Sequence, residues 1–132
     1  MYKLKLKNGL LHANATICHG GKTVTIPDVI IDTGSSNTFI LTDFLDKLNI
    51  GFDDSDELVV MFGIGGAESP AVRKRISCLS IGDISLNNLP IDFGIIDPNN
   101  SINGLIGVDF LRSAKVILDT YNLTLHVKKG VY

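Results

Sequence analysis

Apolar and polar residues alternate with a period of two along most of the chain, the pattern of half-buried β-strands. Leu4 and Leu6 alternate with Lys3, Lys5 and Lys7, and the Asn8-Gly9 dipeptide that follows predicts a hairpin turn. Leu11, Ala13, Ala15 and Ile17 continue the alternation, Gly20-Gly21 turns the chain, and Val24 and Ile26 lie on the returning strand. Val29, Ile30 and Ile31 then form a short, wholly apolar run, as expected of a strand buried on both faces, and it stops at Asp32-Thr33-Gly34. Further strands are predicted over residues 58–62, 72–76, 78–81, 84–86, 89–96, 116–118 and 123–127. Turns fall at 63–66, Gly82-Asp83, 97–101 and Tyr121-Asn122. A helical face appears over 43–48, with Thr42 as cap and Phe44, Leu45 and Leu48 on its apolar side, and a second short helix is predicted over 108–112. Many short strands with frequent turns imply an all-β fold, read here as a closed barrel with one or two short helices.

Length turns this pattern into one unit. The 132 residues suit a single domain over 1–132, large enough to bury a core, with no internal linker or repeat. Only 20% of residues are charged and the formal net charge is −2, which argues against a dedicated nucleic-acid binder. No apolar run approaches the roughly 20 residues of a membrane helix. The alternating start does not look like a signal peptide, and two cysteines, Cys18 and Cys78, argue against a disulfide framework. The expectation is a cytoplasmic protein with two thiols, although two cysteines leave one bridge possible.

Candidate chemistry concentrates in three segments. In Ile30-Ile31-Asp32-Thr33-Gly34-Ser35-Ser36 a carboxylate stands at the end of a buried strand, where a tight turn can hold it rigidly. Gly34 allows close backbone approach, and the hydroxyls of Thr33 and Ser35 can bond the turn and the carboxylate. By itself such a triplet is also what an Asx-turn at a strand end looks like. The second segment, residues 59–67, is an apolar hairpin with the glycine-rich tip Gly63-Ile64-Gly65-Gly66. The third, Asn103-Gly104-Leu105-Ile106-Gly107, places two apolar residues between glycines just ahead of the second helix. Elsewhere the residues read blandly. Asp109 reads as a helix cap, 73–75 as a solvated basic strand and 53–57 as a solvated acidic loop. His12, His19 and His126 show no metal-ligand spacing with the cysteines, so no metal is expected.

In this order and spacing the three segments resemble the aspartic peptidases, most closely the retropepsin-like branch with one lobe per chain. The resemblance covers about residues 11–127. It implies that Asp32, Thr33 and Gly34 form the catalytic triplet, supported by Ser35. It also implies that Met61, Phe62, Gly63, Ile64, Gly65 and Gly66 form a flap over bound peptide. Ser36, Asn37, Ile102, Asn103 and Leu105 would contact substrate, with Thr38 and Phe39 packed below. In that family two carboxylates share one proton and activate water, so no cofactor is implied. This chain carries one such triplet. The resemblance therefore implies a homodimer with one Asp32 from each subunit, Thr33 bonding across the two-fold axis, and a polypeptide substrate. The alternative is a catalytically idle dimer that binds peptide segments.

Three departures qualify the resemblance. Ser35 replaces the Ala usual in retroviral enzymes, and a hydroxyl donating to the carboxylate would favour an acidic optimum. Ser36 and Val108 stand where those enzymes carry an Asp–Arg pair. The hairpin predicted after Leu111 is an addition, so dimerisation through interleaved chain ends is not expected.

Overall fold

The Asn8-Gly9 and Gly20-Gly21 turns fold the first third of the chain into long hairpins, with positive φ at all four residues (53°, 75°, 59° and 78°). We describe the fold from a computed structural model, for residues 1–62, 66–96, 99 and 101–128. In chain order the elements are β1 (Tyr2–Lys3), β2 (Lys5–Lys7), β3 (Leu10–His19), β4 (Lys22–Ile31), β5 (Phe39–Leu41), α1 (Thr42–Lys47), β6 (Glu57–Phe62), β7 (Glu68–Ile81), β8 (Ile84–Gly94), β9 (Gly104–Ile106), α2 (Val108–Ser113), β10 (Val116–Asp119) and β11 (Thr124–Val127).

Eight strands form one sheet in the order β2-β3-β4-β9-β5-β8-β7-β6, and β3 also pairs with β7. The fold is therefore all-β with two short helices, as the alternation implied. The expected closed barrel is a barrel-like ring that is not strictly closed. Its links through β9 are two register pairs long on each side, and the β3–β7 seam is three pairs long. A separate three-stranded sheet, β1-β11-β10, joins the two ends of the described chain to each other. The core is filled by Ile17, Ile26, Ile40, Leu45, Leu48, Ile76, Leu79, Ile81, Ile91, Phe93 and Phe110, all essentially inaccessible.

A bulge sets which residues of β4 face that core. Ala15 pairs with Ile26 but Ala13 pairs with Val29, so the register shifts between them. Asp28 takes a positive φ of 52°, and its amide donates to the Asn14 side chain at 3.2 Å. The inserted residue turns Ile26, Val29 and Ile31 all inward, where strict alternation would have sent Val29 and Ile31 outward. Ile30, on the other face, is half-buried.

Several local expectations change. The predicted strands 72–76 and 78–81 are one 14-residue strand, β7, and 84–86 and 89–96 join as β8. Asn87-Asn88 reads as a break, but Asn88 absorbs a positive φ of 62° within the ladder. The first helix starts on Thr42 itself, with Leu41 at the cap and no side-chain cap bond. The basic run is not a solvated face. Lys74 is only 6% exposed and pairs with Asp56 at 2.7 Å and Asp53 at 3.4 Å, which also ties down the acidic loop. Arg73 binds Asp92 through two bonds of 2.8 and 3.1 Å, and only Arg75 lies at the surface, donating to the Asn88 carbonyl.

Candidate active site

Asp32 is the first residue beyond β4, and its position follows from the pairing of that strand. Ile31 pairs in parallel with Ile106 of β9, and the Asp32 amide continues the ladder with a 2.9 Å bond to the Ile106 carbonyl. The chain then turns tightly. The Ser35 amide donates to the Asp32 carbonyl at 3.1 Å, and the Gly34 amide donates to Asp32 Oδ1 at 2.9 Å. The Asx-turn is thus real, and it orients the carboxylate. A Cβ at position 34 would lie 3.2 Å from that same oxygen, so glycine keeps the turn open to its own side chain.

The apolar-apolar-glycine segment runs behind this turn. The Val108 amide donates to the Ser35 carbonyl at 2.9 Å. A Cβ on Gly107 would sit 2.7 Å from the carbonyl oxygens of both Ser35 and Asn37. Gly107 has an ordinary extended φ of −90°, so close packing, rather than backbone freedom, demands glycine here. A polar clamp completes the contact. Asp109 accepts from the Thr38 amide at 3.0 Å, the Thr38 hydroxyl at 2.8 Å and the Phe110 amide at 2.8 Å. The Thr38 hydroxyl in turn accepts from the Gly107 amide at 3.2 Å. Asp109 therefore does more than the cap expected of it. The cap position is Gly107, and Asp109 locks the loop after Asp32 to α2.

Asp32 opens onto a cleft of about 500 Å³ between this loop and the β6–β7 hairpin. Gly34, Ser35, Ser36, Asn37 and Leu105 line it, together with Met61 and Phe62 from the hairpin. Gly63, Ile64 and Gly65 lie outside the described residues. Gly66 is exposed with a positive φ of 84° and does not line the cleft. Thr33 is exposed and also stands outside the lining. Ile102 and Asn103 do not line the cleft either, because the Asn103 side chain turns away to donate to the Pro27 carbonyl at 2.8 Å. Thr38 is buried as expected, whereas Phe39 also reaches the cleft wall.

The Ser35 hydroxyl corrects an expectation. It donates to the Asn37 carbonyl at 2.7 Å, not to the Asp32 carboxylate, because the turn points it along the loop. The cleft also holds a pair that sequence reasoning passed over, Arg73 and Asp92, facing each other across β7 and β8. The hydrogen bonds to Asp92 raise the Arg73 guanidinium further above its ordinary value, against the opposing effect of burial. An acidic residue inside the apolar run 89–96 was the available signal, since a buried carboxylate requires a partner.

A half-buried carboxylate at a strand end, a glycine-locked loop and a cleft walled by the β6–β7 hairpin point to the class of aspartic peptidases. The sequence model of the family described as aspartyl protease matches residues 13–110, and the chain belongs to that family. Its fold is retropepsin-like. A retropepsin-like aspartic protease from Rickettsia conorii superposes with a TM-score of 0.58 at 19% identity, covering 90% of this chain and 83% of that one. The retroviral protease-like domain of Ddi1 from Leishmania major superposes with a TM-score of 0.59 at 14% identity, covering 92% and 90%. At these identities the likeness speaks for the fold. A search of curated proteins found no significant match.

Proposed function

We propose that this protein is a homodimeric aspartic endopeptidase whose active site is completed by Asp32 from each of two chains. The observation that carries the proposal is the single Asp32 carboxylate, oriented by the Gly34 amide at the mouth of a peptide-sized cleft. One carboxylate cannot do the chemistry alone. Two carboxylates about 3 Å apart cannot both ionise, so they hold one proton between them. The ionised member takes a proton from water as the water attacks the scissile carbonyl. The protonated member donates to the carbonyl oxygen as it becomes an alkoxide. The tetrahedral intermediate then collapses and the amine leaves with a proton.

A two-fold axis beside Asp32 would supply the second carboxylate with no new residue, and the exposure of Thr33 supports a contact with its counterpart there. Substrate would lie extended under the β6–β7 hairpin. Phe39, Val60, Met61, Phe62, Ile96 and Leu105 favour apolar side chains in the cleft. The β1-β11-β10 sheet already pairs the two ends of the described chain within one copy. The dimer is therefore built around the Asp32 loops rather than by exchange of those strands.

The test is incubation with a mixed peptide library from acid to neutral pH, with and without a pepstatin-type inhibitor, beside Asp32→Asn. Inhibitor-sensitive cleavage that Asp32→Asn abolishes is expected. Cleavage that survives the substitution contradicts the role of Asp32. A sedimenting dimer that cleaves nothing at any pH supports a peptide-binding module instead.

A further inference from the structure

Cys18 and Cys78 lie directly opposite each other on β3 and β7, the third register pair of the seam that brings the two flanks of the barrel-like ring together. Their neighbours in the chain, Ile17 and Leu79, are fully buried. Side chains alternate along a strand, so both thiols point to the outer face of the ring, where each is half-buried. Cys78 Sγ lies 3.3 Å from the Ser85 hydroxyl on β8. Both are free thiols.

We propose that Cys18 and Cys78 form an oxidation-dependent disulfide that staples the β3–β7 seam. Facing residues of an antiparallel pair have Cα atoms about 4.5 or 5.5 Å apart, depending on the type of pair. Both spacings fall within the roughly 4.4–6.8 Å found across disulfides, so closure needs no strand movement. The seam is also where a bond has most to add, since it is only three register pairs long. The bridge closes a loop from residue 18 to residue 78, which contains Asp32 and the whole of β6, so it restricts a large part of the unfolded chain.

The oxidant is a small-molecule disulfide such as oxidised glutathione. One cysteine thiolate attacks it, forms a mixed disulfide and releases one glutathione thiolate. The second cysteine thiolate then displaces the other glutathione and closes the Cys18–Cys78 bond. Two electrons pass from the cysteines to the glutathione disulfide, and the two cysteine protons end on the two released glutathione thiols. Burial, and then the adjacent Cys78, pushes the Cys18 thiol up from its ordinary value. Cys18 accordingly rests as a thiol, and the bridge closes slowly, as a staple rather than a fast sensor. The bridge lies at the far end of β4 from Asp32, since Cys18 pairs with Thr23 and Asp32 follows Ile31. It acts on the persistence of the fold and does not depend on the peptidase reading.

The experiment equilibrates the full chain in glutathione buffers from reducing to oxidising. It follows free thiols by alkylation and intact mass, and stability by thermal melting, beside Cys18→Ser and Cys78→Ser. Loss of both alkylatable thiols within a single chain is expected, with a melting midpoint raised on the order of 10 °C over the reduced protein. Neither serine variant should show that rise. Thiols that stay alkylatable in oxidised glutathione overturn the proposal. So does a bridge between two chains, or a closed bridge that leaves the midpoint unchanged or lower.

Discussion

At the scale of single residues, the shape of the site depends on which oxygen each donor serves. Asp109 satisfies three donors, two on Thr38 in the loop after Asp32 and one on α2, and Thr38, itself inaccessible, depends on it. Asp109→Ala leaves the Thr38 amide and hydroxyl without that partner and should cost about 2–3 kcal/mol in chemical denaturation. Thr38→Val added to it should cost less than Thr38→Val alone, because the bond to Asp109 is already gone and only the bond from the Gly107 amide is left to lose. A fully additive pair would show that the clamp is not a unit. The Ser35 hydroxyl bonds the Asn37 carbonyl, so Ser35→Ala should cost about 1 kcal/mol and leave the pH–rate profile of Asp32-dependent cleavage where it was. A shifted profile would return the hydroxyl to the carboxylate. The triplet around Asp32 was legible in the sequence because everything that defines it lies within a few residues. The Thr38–Asp109 clamp was not, because its partners stand 71 positions apart and meet only through β9 and α2.

At the scale of elements, period-two alternation found the long hairpins but misjudged where strands end. Ser77 and Asn87-Asn88 interrupt apolar runs and read as breaks, yet β7 and β8 pass through them because the ladder supplies the bonding. The three-residue strands β5 and β9 carry no such pattern and owe their form to neighbours far along the chain. The 53–57 segment shows the same limit, since its charges look solvated until β7 brings Lys74 against them. Burial lowers the Lys74 ammonium, but its bonds to Asp56 and Asp53 outweigh this and raise it overall. Stability from that raised group is complete below about pH 10.4 and is lost only as pH climbs through the folded value.

Lys74→Met should cost about 3 kcal/mol by leaving Asp56 unpaired, with faster hydrogen exchange in the loop before β6. An unchanged urea midpoint would contradict it. At the acid end, Asp53 is held low first by Ser55, Asp28 by Lys7 and Asp119 by Asn122. Each contributes stability that is present above about pH 3.9 and lost as pH falls below it. The urea midpoint should therefore drop on acidification through about pH 4, and Ser55→Ala should make the drop shallower.

At the scale of the molecule, the fold and the family were legible from three short segments, since spacing and order survive where sequence identity does not. The precise wall of the cleft was less so. Asn103 turns outward to Pro27, and the Arg73–Asp92 pair turns inward, both through register that no local pattern encodes. What the 132 residues hold is one lobe with one Asp-Thr-Gly. If two such lobes share one site, a mixing experiment reads it. Wild-type chain is combined with Asp32→Asn chain at fixed total concentration, allowed to exchange, and assayed for peptide cleavage. If each site needs Asp32 from both chains, every mixed dimer is inactive, and an equal mixture should keep about a quarter of the activity. Activity falling only in proportion to the wild-type chain, to about a half, would contradict the shared site.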